Sequence, residues 1–383
     1  MELLRKQSSK LILVAEGWDE FRYNDTGVCE RDHNKVFGLN TILASVTSHT
    51  MLPGARIVIT SRPSQNLPPR NRTIEVYGFT DDNIQKYIDQ FSRDDNQLKV
   101  FIRDYLENNM NIASMCYLPV HCNFVCVCLS DMQASTRSED TPPAVTTMTQ
   151  LYVLAAINLA KKLHPALKHI NMPSDSKLFF DTVGNSLKCH SELAKHNTML
   201  TPVRILSYED DLEQFGIHEE DRGTGFLAEC QMKGKMACFP RSCWTFNHLT
   251  LQEMFAAIGL LRGPQQALLQ LVEDDASIRQ REVLIKFVIG LWCDSQNACF
   301  MEHLGSQTHP HPGSTVELSP RTFIQKLHAV YEPLQLATVL HESQTPCLLD
   351  LLPEEIESDK VFPTEVMALS WILKQPECCV TTI

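Results

Sequence analysis

The chain has no surplus of basic residues: 34 Lys and Arg stand against 46 Asp and Glu, for a formal net charge of −12. Nucleic-acid backbones are held by clustered cations, and no basic stripe offsets this balance, so nucleic-acid binding is not expected. There is no apolar stretch of the roughly 20 residues that a membrane helix needs. The run from Tyr117 to Leu129 is too short and holds Pro119, His121 and Asn123, so no membrane partner is expected either. No secretory signal opens the chain, because Leu11 to Ala15 leads into Glu16, Asp19 and Glu20 instead of a small-residue cleavage site. Among 14 cysteines there is no CxxC pair, which removes the ligand spacing of a structural zinc site. Cys122, Cys126 and Cys128 sit in an apolar segment, where a free thiol packs as a small hydrophobe. No GxSxG run accompanies the scattered Ser, His and Asp, so a serine hydrolase lacks its nucleophile motif. These absences describe a reduced, cytoplasmic chain, in which the Asn-x-Thr runs at Asn24 and Asn71 are chance matches.

What is present is ordinary for a globular protein: 43% apolar and 21% charged residues over 383 positions. That length suits two or three compact units. Leu11-Ile-Leu-Val-Ala15 and Ala55-Arg-Ile-Val-Ile-Thr60 are short apolar runs, the second entered from Pro53-Gly54 and left at Ser61-Arg62-Pro63. Such runs predict parallel strands buried on both faces. Ligands of parallel sheets lie beyond the C-terminal strand ends, where the acids after Ala15 and the guanidinium of Arg62 would stand.

From about Thr73 the period becomes helical. Ile84, Tyr87, Ile88 and Phe91 make one apolar face behind a Thr80 cap. A second helix is expected around Val100, Phe101, Tyr105 and Leu106, and Thr147 opens another through Lys162. Ser135 to Val145 and Gly305 to Gly313 read as polar loops. Ser176 to Leu193 reads as helix. Gly223-Thr224-Gly225 reads as a turn between short strand-like runs near Phe226 and at Met236 to Phe239. Helical patterns dominate after Thr250, and Val361 to Lys374 closes with one more. Thr250 and Glu253 have the spacing of a capping box.

Five motifs in order carry a resemblance. Leu11-Ile-Leu-Val-Ala-Glu-Gly-Trp-Asp-Glu20 resembles the extended Walker B segment of NACHT ATPases of the NOD-like receptor class. On that match Glu16, where the family usually has Asp, takes the metal-linked place, and Asp19 and Glu20 take the acids associated with hydrolysis. Ile57-Val-Ile-Thr-Ser-Arg-Pro63 is similar to the sensor 1 strand, which gives Arg62 the terminal-phosphate contact that a planar guanidinium suits. Ile74 to Asp82 is similar to the entry of the first helical domain, with Gly78 turning, Phe79 packing and Thr80 capping. Met115-Cys-Tyr-Leu-Pro-Val-His121 resembles the motif whose proline abuts adenine, so Pro119 takes that place, although a proline also commonly opens a helix. Thr245 to Ala257 resembles the winged-helix exit motif, whose histidine contacts the ADP β-phosphate; His248 matches it. Weaker likenesses continue at Val283 to Leu291 and at Phe362 to Leu369.

The resemblance implies an α/β plus mostly α architecture: a partial parallel P-loop NTPase sheet followed by a helical domain, a winged-helix domain and a second helical domain. The expected bounds are 1–72 for a partial NACHT domain, 73–146, 147–248 and 249–383. It implies ATP or ADP with Mg²⁺ as cofactors, and other NOD-like receptor protomers or signalling adaptors as partners. No GxxxxGK[ST] run occurs, and that loop supplies the phosphate cradle of a P-loop ATPase. The expectation is therefore a truncated piece of an innate-immune oligomerisation switch, with no ATP turnover on its own. The competing expectation is an adaptor or regulator that uses its helical half as an interaction surface and binds no nucleotide.

Overall fold

The computed structural model describes residues 7–18, 37–61, 72–135, 145–164, 167, 175–201, 203–232, 241–305 and 318–382. The chain divides into two compact units, Met1–Tyr77 with Thr201–Val203, and Gly78–Leu200 with Arg204–Ile383. In the first, β1 (Ile12–Ala15) and β2 (Arg56–Ile59) pair in parallel, with Ile12 opposite Arg56 and Ala15 opposite Ile59. A parallel pair needs a crossover, and α1 (Leu39–Thr47) lies within it. Trp18, Ala44, Met51 and Ala55 are buried. The strands are not buried on both faces as their sequence predicts. Ile12 and Val14 are about two-thirds exposed, at 62% and 66%, and Val58 is exposed beside them. The described sheet has two strands, and one face of it is covered less than its apolar side chains would require.

The second unit is helical. α2 (Asp81–Ser92) begins at Thr80, whose hydroxyl accepts from the Asn83 N–H at 3.4 Å, and it buries Ile84 and Ile88. Gly78 precedes it for a reason other than a turn. A Cβ there would meet the Tyr117 carbonyl oxygen at 2.0 Å, so the backbones can approach closely enough for Phe79 N–H to donate to that oxygen. α3 (Asn96–Asn108), capped by Asp95, turns Leu98, Ile102 and Leu106 inward. Val100 is exposed on this helix, while Phe101 and Tyr105 are half-buried. α4 (Met110–Met115) and α5 (Pro119–Ser135) follow. Cys116, Cys122, Cys126 and Cys128 are all buried here, and burial pushes the Cys128 thiol up to about 12. All four pack as small side chains in the helical core.

α6 (Met148–Leu163) starts at the Thr147 cap, and α7 (Ser176–Met199) runs 24 residues, past the expected end. Two short helices, α8 (Glu209–Gln214) and α9 (Glu219–Arg222), lead to an antiparallel hairpin of β3 (Leu227–Met232) and β4 (Arg241–Phe246). The run Met236 to Phe239, expected as the second strand, lies outside the described residues, as do most of the two loops expected around 136–144 and 306–313. The strand that pairs with β3 is Arg-Ser-Cys-Trp-Thr-Phe, whose mixed polarity hid it.

α10 (Leu249–Arg262) buries every residue from Leu251 to Leu261. A helix buried on all sides must be surrounded, and α7 and α13 (Glu282–Cys293) pack along it. Phe255 meets Phe226 and Phe246 at 4.8 and 5.7 Å, which seats the hairpin on the same helix. The remaining helices are α11 (Gln265–Leu271), α12 (Asp275–Gln280), α14 (Ser295–His303), α15 (Pro320–Leu327), α16 (Pro333–Ser343) and α17 (Pro363–Leu373). None of the helices among the described residues is long and apolar enough to cross a membrane.

Long-range polar contacts fix the helix ends. Glu342 of α16 is buried and accepts from Met148 N–H and Thr149 N–H, each at 3.0 Å, and from the Thr149 hydroxyl at 2.6 Å. It satisfies N–H groups that the first turn of α6 would otherwise leave orphaned. Gln150 donates to Asp294 at 2.7 Å, and Asp294 caps α14. Replacing Glu342 by Ala strips acceptors from buried donors and is expected to cost about 3 kcal/mol in urea unfolding. Glu342→Gln keeps an acceptor and should cost less than half of that. Equal stability of the Ala variant and the parent would show that the contact does not hold α6.

Three buried imidazoles set the acid limit. Burial pushes His121, His190 and His341 from 6.5 down to about 4; proximity to His248 adds to the shift at His121. Between about 4 and 6.5 the folded chain therefore binds fewer protons than the unfolded chain. Stability is full above 6.5 and is lost as pH falls towards 4, by at most about 1.4 kcal/mol per pH unit for each imidazole. Glu342 works in the opposite sense, since burial raises its carboxyl from 4.5 and its contribution is lost as pH rises through the raised value. With three imidazoles against one carboxyl, urea midpoints should decline steadily from pH 7 to 4.5. A midpoint that rises over that range would contradict this assignment.

Candidate functional site

At the C-terminal ends of the parallel pair the chain is tied across the strands. Thr60 N–H donates to Ala15 O at 2.9 Å, and Trp18 N–H donates to Thr60 O at 2.9 Å. Between them Gly17 adopts φ +70°, a conformation in which a side chain would be strained, and its N–H donates to the Thr60 hydroxyl at 3.2 Å. This turn leaves Glu16 exposed at the strand tip, where the sequence places it. Asp19, Glu20 and Arg62 lie outside the described residues. Among the described residues no group of three or more His, Cys, Asp or Glu is arranged to hold a metal ion. Glu16 by itself does not make a Mg²⁺ site.

The other two expected ligands belong to the helical unit. Pro119 is the first residue of α5 and is exposed. That position tolerates proline because its missing N–H would be unpaired anyway. His248 is the N-cap of α10 and is also exposed. Its Nδ1 accepts from Thr250 N–H at 3.2 Å and lies 2.6 Å from the Thr250 hydroxyl. The expected capping box is therefore corrected: the helix starts one residue before Thr250, an imidazole supplies the acceptor, and Glu253 lies on a buried turn.

His121, two residues into α5, is buried edge-on against Tyr152 at 5.4 Å. It is near enough to His248 for that imidazole to add to the burial that disfavours its own protonation. Tyr152 is buried among His121, Phe124 and Phe287, and its hydroxyl meets the Thr250 hydroxyl at 2.5 Å. The starts of α5 and α10 are thus neighbours across Tyr152. Sequence reasoning missed Tyr152 because nothing local marks a contact to a residue 98 positions away.

These features, a parallel strand pair with a tied acidic tip and a large helical unit with a histidine-capped central helix, go with similarity to NLR proteins, many of them carrying a NACHT domain: the chain is NACHT- and NLR-like. Among particular relatives, it is 24% identical to rat NACHT, LRR and PYD domains-containing protein 3 over 260 residues, 65% of this chain and 23% of the relative. It is 25% identical to human NLR family member X1 over 308 residues, covering 71% and 30%. It is 22% identical to human NACHT, LRR and PYD domains-containing protein 12 across 100% of this chain and 35% of the relative. The chain thus spans about a quarter to a third of the length of these relatives. No family model matches it.

The cap makes a prediction that separates structure from binding. His248→Ala should lose about 1 kcal/mol of stability, whereas His248→Asn, a good cap without an imidazole, should stay within about 0.5 kcal/mol of the parent in thermal melts. Asn costing as much as Ala would mean that the ring does more than cap.

Proposed function

We propose that this chain is part of an NLR-like nucleotide-dependent oligomerisation switch that acts in cytosolic innate-immune signalling. Its segments at 1–72, 73–146, 147–248 and 249–383 are read as a partial NACHT domain, a first helical domain, a winged-helix domain and a second helical domain. The hairpin of β3 and β4 leading into α10 supports the winged-helix assignment. In this reading ADP holds a closed arrangement and exchange for ATP shifts the population towards one that assembles with other NLR protomers or adaptors. Pro119 would wall the adenine and His248 would donate to a phosphate oxygen, with Arg62 reading the terminal phosphate. Glu16, Asp19 and Glu20 would serve the Mg²⁺ and hydrolytic places. Because the sequence contains no GxxxxGK[ST] run, ATP turnover by these 383 residues alone is not part of the proposal.

The single observation that carries the reading is the position of His248. It stands exposed at the N-terminus of a 14-residue helix, where the helix dipole favours anions. The test is a titration of fluorescent ADP against the purified chain, with His248→Asn as the variant that keeps the cap. Saturable binding that weakens about tenfold in the variant is expected, the scale of one charge-assisted hydrogen bond. No saturable binding up to millimolar ADP would overturn the nucleotide reading and leave the helical unit as an interaction surface.

A further inference from the structure

His248 makes contacts that determine which of its nitrogens carries the proton. The Thr250 N–H is a donor only, and it points at Nδ1 from 3.2 Å. An Nδ1 that accepts this hydrogen bond cannot itself hold hydrogen, so the proton of the neutral ring is on Nε2. The Thr250 hydroxyl lies 2.6 Å from the same Nδ1. Two acceptors do not face each other at that distance, so the hydroxyl donates to Nδ1. Its oxygen is then free to accept, and the hydroxyl at 2.5 Å from it, that of Tyr152, must be the donor. The chain therefore runs one way, with Tyr152 donating to Thr250 and Thr250 donating to His248. Of the two donors that share the single Nδ1 lone pair, the hydroxyl at 2.6 Å is closer than the N–H at 3.2 Å, and it is the one that Tyr152 holds in place.

The surroundings of Tyr152 favour the same direction. Its ring is fully buried, edge-on to Phe124 at 5.0 Å and to Phe287 at 4.9 Å. Among the described residues its hydroxyl has Thr250 as its one hydrogen-bond partner. Were the chain reversed, the Tyr152 proton would be buried without an acceptor, a state that costs about 1–3 kcal/mol. Burial also raises the phenol well above its ordinary 10, so it stays protonated and able to donate.

We infer that Tyr152 and Thr250 are positioning residues that lock His248 in the Nε2–H tautomer, so that it meets an anionic oxygen as a neutral hydrogen-bond donor. This rests on the proposed role of His248 as a phosphate contact, but its first half concerns the unliganded chain. Neither residue touches the ligand. Tyr152 acts from the helical core, through one hydroxyl, on a ring at the surface.

The experiment is ¹⁵N and ¹³C NMR of the imidazole tautomers in the full chain, with ADP titration in parallel. The His248 signals, among those of 14 histidines, are assigned by their loss in His248→Asn. The parent should show Nε2–H at His248. Tyr152→Phe frees the Thr250 hydroxyl to accept from the ring, and the isosteric Thr250→Val leaves Nδ1 only the longer N–H contact; both should raise the Nδ1–H fraction and weaken ADP about fivefold, while Thr250→Ser should restore both. Two variants are used because Tyr152 is a core residue, and Thr250→Val tests the same chain without touching its packing. A parent ring that is mainly Nδ1–H, or variants with unchanged tautomer populations, would overturn the inference. A parent with the stated tautomer, shifted by the variants, but without ADP binding would uphold the lock and sink the nucleotide reading instead.

Discussion

The enclosure of α10 is the constraint on which the helical unit depends. From Leu251 to Leu261 no face of this helix is left for solvent, so its neighbours are obliged to cover it. α7 and α13 supply two flanks, and the hairpin supplies a third through Phe226 and Phe246. Burial of that many apolar side chains, each contributing about 1.5–3 kcal/mol, outweighs any local preference in the sequence. The helix can meet solvent only at its ends. That is why an exposed residue, His248, two positions after β4, stands at the start of an otherwise enclosed element.

Helices packed this closely leave their termini inside the protein, and the polar contacts answer that problem. The N–H groups that open α6 cannot reach water, and Glu342 brings a carboxylate to them from α16. Its burial would be unfavourable by itself, as the raised carboxyl shows. Three donors on two oxygens offset the lost hydration. Asp294 plays a similar part for α14 while taking a hydrogen bond from Gln150 of α6. Both acids tie α6 to helices far along the chain, so α6 is held by its first turn as well as by its apolar face.

Much of the fold could be read locally. The two strands stand between Gly, Pro and acidic punctuation, and α2 and α6 begin at threonine caps that the pattern marks directly. The histidine cap of α10 was hidden because Thr250 is the more usual capping residue and sits two positions away. β4 was hidden by its alternating Arg, Cys, Trp and Thr, a pattern that only its pairing with β3 makes a strand. The exposed face of β1 and β2 could not be foreseen, since Ile12, Val14 and Val58 have the composition of buried residues. At the candidate site, Glu16, Pro119 and His248 are proposed from motif order. The Tyr152 hydroxyl and the Glu342 carboxylate were not legible, because each acts on a partner about a hundred or more residues distant.

The two contacts that sequence could not show meet on one helix. Thr149, held by Glu342, and Tyr152, which holds Thr250, are three residues apart on α6 and so lie on the same side of it. A continuous path of hydrogen bonds and one helical turn therefore runs from α16 to the exposed ring of His248. Continuity is not coupling: a path transmits a change only if one of its members has two arrangements of similar free energy. Here Glu342, Thr149 and Tyr152 are buried and hydrogen-bonded, and Thr250 bonds to both of its neighbours, which favours one arrangement over all others. What α6 gives the surface is position. It keeps the donor atom of His248 fixed while whatever approaches from solvent must adjust to it.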